Sequence, residues 1–188
     1  MIAASQKGHD QVVQCLLSAG VKGDAPTPNG ESALFMASQV GQAKVVKTLL
    51  SAGAAVNAAA NDGTTSLMAA SQNGHVEVVG MLLAAEANAN AADDGGCTAL
   101  YYASFNGHLV IVQRLLASGA DFHAVNNDGL TSLMAASRKG HDQVVQCLLS
   151  SGAKVDAATP SGSTPLHLAS QEGQVLKWSR LSSLPVQP

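Results

Sequence analysis

The sequence is poor in the residues that most domains use to build a core and to stay in solution. Aromatic side chains make up only 3% of it and charged ones 12%, against roughly 25% charged in a typical soluble domain. Any core must therefore be assembled from Ala, Leu, Val and Met. There is no block of Lys or Arg: the longest basic cluster is Arg138-Lys139, and the formal net charge is -3. Nucleic-acid binding needs a clustered positive surface that displaces counterions, so that class is excluded. No window approaches the roughly 20 apolar residues of a spanning helix, and Met1-Ile2-Ala3-Ala4-Ser5-Gln6-Lys7 is no signal peptide. An intracellular, cytoplasmic protein that does not enter a membrane is expected. Three cysteines form no disulfide framework.

What is present is a period. Gly30, Gly63, Gly96, Gly129 and Gly162 recur every 33 residues, as do Leu34, Leu67, Leu100, Leu133 and Leu166. A third series runs through Gly8, Gly41, Gly74, Gly107, Gly140 and Gly173. Within one unit, Asn61-Asp62-Gly63 is turn chemistry, and Thr65 is placed to cap a short helix carrying Leu67 and Ala70. Gly74 stops that helix and His75 opens a second. There Val78, Val79, Leu82 and Leu83 have the helical spacing of one inward face. Gly53, Gly119 and Gly152 then end the second helix as left-handed caps. Glu86 stands where the others have Gly, so the second helix of that unit is expected to end differently. A helix pair this small cannot bury its apolar stripe alone, and stacking on its neighbour does so.

Thr164-Pro165-Leu166-His167-Leu168-Ala169, the pairs Gly74-His75, Gly107-His108 and Gly140-His141, and Leu115-Leu116-Ala117-Ser118-Gly119-Ala120-Asp121 carry a resemblance to the ankyrin-repeat family. The resemblance covers nearly the whole chain. It implies an all-α solenoid of stacked helix-turn-helix units joined by β-turn or hairpin loops, with turn tips and first helices forming a concave face that grips a protein partner. It implies no enzymatic activity and no cofactor. Complete units are expected over 28–60, 61–93, 94–126 and 127–159. Partial units are expected at 1–27 and 160–174, and an aberrant, poorly ordered tail at 175–188.

Residues 3–18 and 135–150 differ only at Gln6 versus Arg138, an identity that packing does not require and that points to block duplication. Ile2, Val12 and Leu16 lack the polar outer face of a terminal cap, so the chain is expected to be a piece of a longer array. The tail Leu176–Pro188 has the letters that a repeat peptide V-E-V-V-K-T-L-L-T-A-G-A-T yields when a compatible coding string is read from its second base. An indel or misjoined exon boundary near codon 175 is the expectation, a divergent tail the alternative, and Trp178 is no functional anchor.

Catalytic and metal chemistry find no foothold in the letters. His9, His75, His108 and His141 share one register. Adjacent helices pack about 8–10 Å apart, whereas zinc ligands lie about 2.0–2.1 Å from one ion, so these histidines cannot share a metal and serve structure instead. Cys15 and Cys147 are separated by four repeats, on the order of 40 Å by that spacing, and a disulfide needs Cα atoms within about 7 Å. Cys97 sits at a turn. Ser5, Ser38, Ser71, Ser104, Ser137 and Ser170 belong to one repeated position, and no base or orienting group converges on them. No small-molecule substrate is implied.

Partner-binding candidates lie where tip positions (Glu31, Thr64, Cys97, Leu130, Ser163) and first-helix ends depart from dull polarity. They are Phe105, Tyr101, Asn106, Leu130, Arg138 and Lys139. Phe105 replaces glutamine or arginine and is expected to be exposed. Tyr102 replaces Ala69 and Ala135, and Phe122 replaces Val56 and Val155, so both are expected to pack inward. The function expected is a protein-interaction scaffold; the alternatives are a regulatory or targeting segment of a larger enzyme, or an incomplete fragment of a long repeat array.

Overall fold

The computed structural model describes residues 1–21 and 25–171, with only the backbone of residue 171. The expectations for the tail at 175–188 and for Trp178 lie outside the described residues. Eleven helices run among the described residues: α1 Ile2–Gln6, α2 Asp10–Ser18, α3 Ala33–Gln39, α4 Ala43–Ser51, α5 Ser66–Gln72, α6 Val76–Ala84, α7 Ala99–Phe105, α8 Leu109–Ala117, α9 Ser132–Lys139, α10 Asp142–Ser150 and α11 Pro165–Gln171. A short helix alternates with a longer one up to α10. Among the described residues, strand-like pairing is confined to three isolated antiparallel bridges, Ala59 with Thr65, Ala92 with Thr98 and Val125 with Thr131. Each closes the turn just before a first helix.

Side-chain caps start α3, α5 and α9. The Thr65 hydroxyl accepts from the Met68 N–H at 3.3 Å, Thr131 from Met134 at 3.2 Å and Ser32 from Phe35 at 3.1 Å. Each satisfies one backbone donor that the helix leaves free. The first helices end at left-handed glycines, and two of these positions also demand glycine for space. A Cβ on Gly41 would lie 2.5 Å from His75 Nδ1, and one on Gly107 2.6 Å from His141 Nδ1.

The chain divides into two compact units, Met1–Ala99 and a second beginning at Leu100. In the first unit, α1, α3 and α5 pack in succession, as do α2, α4 and α6. Val45, Val46 and Leu49 of α4 and Val78, Val79 and Leu82 of α6 are fully buried between them. Leu83, expected on the same inward face, is only half-buried, because it lies a further 100° around the helix from Leu82. In the second unit α8 packs on α10, and α9 packs on both α10 and α11. Ile111, Val112, Leu115, Val144, Val145 and Leu148 fill the interior. Burying an aliphatic side chain of this kind contributes roughly 1.5–3 kcal/mol, so the β-branched and leucine pairs dominate the stability of each helix pair.

Glu86 corrects an expectation. Its φ is +63°, the left-handed conformation that Gly53 (+81°) and Gly119 (+82°) adopt at the same place. The helix before it closes as its relatives do: Glu86 N–H donates to Leu83 O and Ala87 N–H to Leu82 O, both at 3.0 Å, matching Gly53 to Leu50 and Ala54 to Leu49. The backbone bonds and the burial of Ala87 hold the turn, and the side chain is accommodated in solvent.

The duplicated segment gives an internal comparison. Val12 of α2 is 49% exposed, whereas its counterpart Val144 of α10 is 1% exposed, although their sequences match. The difference is the neighbour: α10 has α8 beside it, while α2 has α4 on its other side. Cys15 is exposed and Cys147 half-buried for the same reason. Burial pushes the Cys147 thiol above its ordinary range, which makes it a poor nucleophile at neutral pH.

Candidate functional site

The sequence-selected residues lie mainly at the ends of α7 and α9, within the second unit. Tyr101 and Phe105 are one helical turn apart, so they emerge on one face. Their rings stack with centroids 6.3 Å apart and planes 19° from parallel. Tyr102 meets Tyr101 edge-on at 6.1 Å and 84°, within the spacing at which such pairs attract. Lys139, from the last turn of α9, places Nζ 4.7 Å from the centre of the Phe105 ring, a cation–π contact. Asn106 is exposed and its Nδ2 donates to the Tyr102 carbonyl at 2.9 Å, closing the end of α7.

Phe105 is thus half-buried and not openly exposed as its polar register suggested: Tyr101 and Lys139 cover part of its ring. Tyr102 and Phe122, expected to pack inward, are also half-buried. Tyr102 leans on Tyr101, and the Phe122 ring lies against His123 with centroids 4.5 Å apart. The Phe122 register is not a buried one, since Val56 is half-buried and Val155 is 54% exposed. Arg138 and Lys139 are exposed. Leu130 belongs to the turn before α9 and is half-buried. Its N–H donates to Asn126 Oδ1 at 2.8 Å, and its carbonyl accepts from Asn126 N–H.

One positioning residue was overlooked as such. His141, at the start of α10, has Nε2 3.0 Å from the carbonyl oxygen of Phe105. A carbonyl only accepts, so Nε2 carries the proton and the tautomer follows. The bond reaches from one helix pair to the next and anchors the end of α7. His75 does the same to the carbonyl of Gln39 at 2.9 Å, so the contact follows the repeat, and the recurrence of Gly-His was its signal. Of the tip positions, Cys97 is half-buried and its N–H donates to Asp93 Oδ1 at 2.9 Å. Among the described residues, no group of three or more His, Cys, Asp or Glu is arranged to hold a metal ion.

The family model for ankyrin repeats (three copies) matches residues 1–93, 57–126 and 100–178. The chain belongs to the ankyrin-repeat family. Its fold class is accordingly the all-α helix-turn-helix repeat, a class that in general mediates protein–protein interaction. A comparison with curated proteins finds no match. Among the described residues, no helix of this ankyrin-repeat chain is long and apolar enough to cross a membrane.

Measured against its own repeat, the ankyrin chain departs most where these side chains meet. Phe105 stands in the register of Gln6, Gln39 and Gln72, and Tyr102 in that of Ala3, Met36, Ala69, Ala135 and Leu168. Arg138 is the one letter that separates residues 135–150 from their duplicate.

Proposed function

We propose that the chain is a non-catalytic scaffold that holds a protein partner through the surface made by Tyr101, Phe105, Asn106, Leu130, Arg138 and Lys139. The observation that carries this reading is a convergence. Phe105 and Arg138 replace the glutamine that their register carries at Gln6, Gln39 and Gln72, Tyr101 stacks on Phe105, and these side chains fall with Lys139 at neighbouring helix ends. Stacking of repeats does not require Phe105 or Arg138, since α3 and α5 carry Gln39 and Gln72 in that register. Aromatic and arginine side chains dominate binding hot spots because they bury much area at little entropic cost. An intracellular, cytoplasmic setting accompanies this reading, supported by Cys15, Cys97 and Cys147 forming no disulfide among the described residues.

The test is capture of the partner by the intact chain and by the Phe105→Ala/Arg138→Ala variant, with circular dichroism and urea unfolding in parallel. Loss of binding with the helical signal kept is expected. Unchanged affinity, or collapse of the fold, overturns the assignment.

A further inference from the structure

We infer that α1 and α2 carry a second docking surface, which takes an ankyrin-type helix pair of a partner protein. It lies in the first compact unit and uses none of the residues of the surface proposed above. The duplicated segment carries the argument. Residues 3–18 and 135–150 differ at one position, yet their burial differs along one face. Ala3, Val12 and Cys15 are exposed, whereas Ala135 and Val144 are buried and Cys147 is half-buried. Leu16 is half-buried and Leu148 fully buried; His9 is exposed and His141 half-buried. Val45, Val78 and Ile111, in the register of Val12, are buried as well. The letters are the same, so the difference maps what a neighbour covers. For α10 that neighbour is α8, whose Ile111, Val112 and Leu115 are buried.

His9 supplies the polar part of the recognition. His75 and His141, in its register, hold the carbonyls of Gln39 at 2.9 Å and Phe105 at 3.0 Å, each at the end of the preceding first helix. Each ring also lies over a glycine, where a Cβ would come to 2.5 Å at Gly41 and 2.6 Å at Gly107. His9 has φ -79° and ψ 70°, against -83° and 75° for His75 and -87° and 74° for His141. Its Cβ therefore leaves the backbone in the same direction. The occupant is specified by these contacts. Its second helix brings aliphatic side chains to Val12 and Leu16, which is the nearest-neighbour interface of a repeat. Its first helix ends on a carbonyl for His9, followed two residues later by a glycine in the left-handed region. A second copy of the chain is a poorer match, because the carbonyls of Gln39 and Phe105 are already held by His75 and His141.

The probe is a labelled synthetic peptide with the sequence of residues 94–126, one unit carrying α7 and α8. Its binding to the full chain is read by fluorescence anisotropy, and the alkylation rate of Cys15 by mass spectrometry. Saturable binding that slows Cys15 roughly tenfold is expected, since a covered thiol reacts less. Val12→Glu should weaken the peptide roughly tenfold through lost apolar burial, and His9→Ala about fivefold, the worth of one hydrogen bond. A Gly107→Val peptide should bind roughly tenfold more weakly than its parent, because valine resists positive φ. One unit alone folds poorly, so residues 94–132 are also fused ahead of Met1, which keeps the repeat in register. Cys15 should then react no faster than Cys147, and Val12→Glu should restore its rate. An unprotected Cys15 in the fusion overturns the inference, as does peptide binding that Val12→Glu and His9→Ala leave unchanged. So does sedimentation showing that the full chain alone forms a dimer that Val12→Glu dissociates, for the occupant is then a second copy.

Discussion

His141 ties the carbonyl of Phe105 through Nε2 at 3.0 Å, while the ring of the same Phe105 receives Lys139, so one residue is held at its backbone by α10 and at its side chain by α9. His141→Ala removes the first of these ties. A hydrogen bond of this kind contributes about 1 kcal/mol, and urea unfolding should show a loss of that size. His75→Ala should cost as much, since its bond to Gln39 has the same geometry, yet only His141→Ala should weaken partner binding. Gly107→Ala should be worse than either. It forces a positive φ of 77° on an L side chain and drives a Cβ to 2.6 Å from His141 Nδ1. A loss above about 1 kcal/mol is expected, and a neutral result would mean that the ring gives way freely.

Glu86 offers the opposite sign. It is the one non-glycine residue with positive φ among those described, and it lies at the surface. Glu86→Gly should stabilise the chain by about 1 kcal/mol, the usual cost of left-handed geometry for an L residue, less whatever freedom glycine adds to the unfolded chain. Thermal unfolding of the two proteins side by side measures it. A variant less stable than the parent would show that the Glu86 side chain contributes more than its backbone costs.

Much of this was legible in the letters, and what was not has a physical reason. The glycine and leucine series place every helix pair, because turn chemistry and apolar spacing act over a few residues. Thr65 was readable as a cap for the same reason. The conformation of Glu86 is set by its bond to Leu83, by that of Ala87 to Leu82 and by Asn57 Nδ2, 3.4 Å from the Glu86 carbonyl, and not by its own preference, so its letter alone does not show it. The polarity of its register points Phe105 to solvent. Its cover comes from Tyr101, one turn away, and from Lys139 in the next helix pair, a neighbour that exists only once the repeats stack. His141 belongs to that class too: the letters gave it a structural place, but its bond to Phe105 spans 36 residues.

The repeated serine separates two environments. Ser71 Oγ is buried without a hydrogen-bond partner, whereas Ser137 Oγ in the same register donates to the Leu133 carbonyl at 2.6 Å. An unpaired buried hydroxyl carries its desolvation penalty, about 1–3 kcal/mol, with nothing to offset it. Ser71→Ala should therefore be neutral or stabilising by up to about 1 kcal/mol, and Ser137→Ala should cost about 1 kcal/mol. Equal effects in urea unfolding would show that Ser71 finds a partner by rotating its hydroxyl.

Asp62 governs an acid response through a single turn. Its Oδ1 accepts the Thr64 N–H at 3.0 Å, and that bond, with one from the Thr64 side chain, holds the carboxyl below its ordinary range. A carboxylate whose folded value is lowered adds stability above its unfolded value of about 3.9, and loses it as pH falls through the folded value. The folded chain must therefore lose this contribution between roughly pH 5 and pH 2. Asp62→Asn keeps an acceptor oxygen for Thr64 but does not titrate, so its urea midpoint should fall less over that interval than the parent's. Because the group is largely exposed, the difference will be small and should shrink as salt is raised. If both proteins lose stability in parallel down to pH 2, the Thr64 bond does not distinguish the charged from the neutral carboxyl, and the acid sensitivity of the turn has to come from its neighbours.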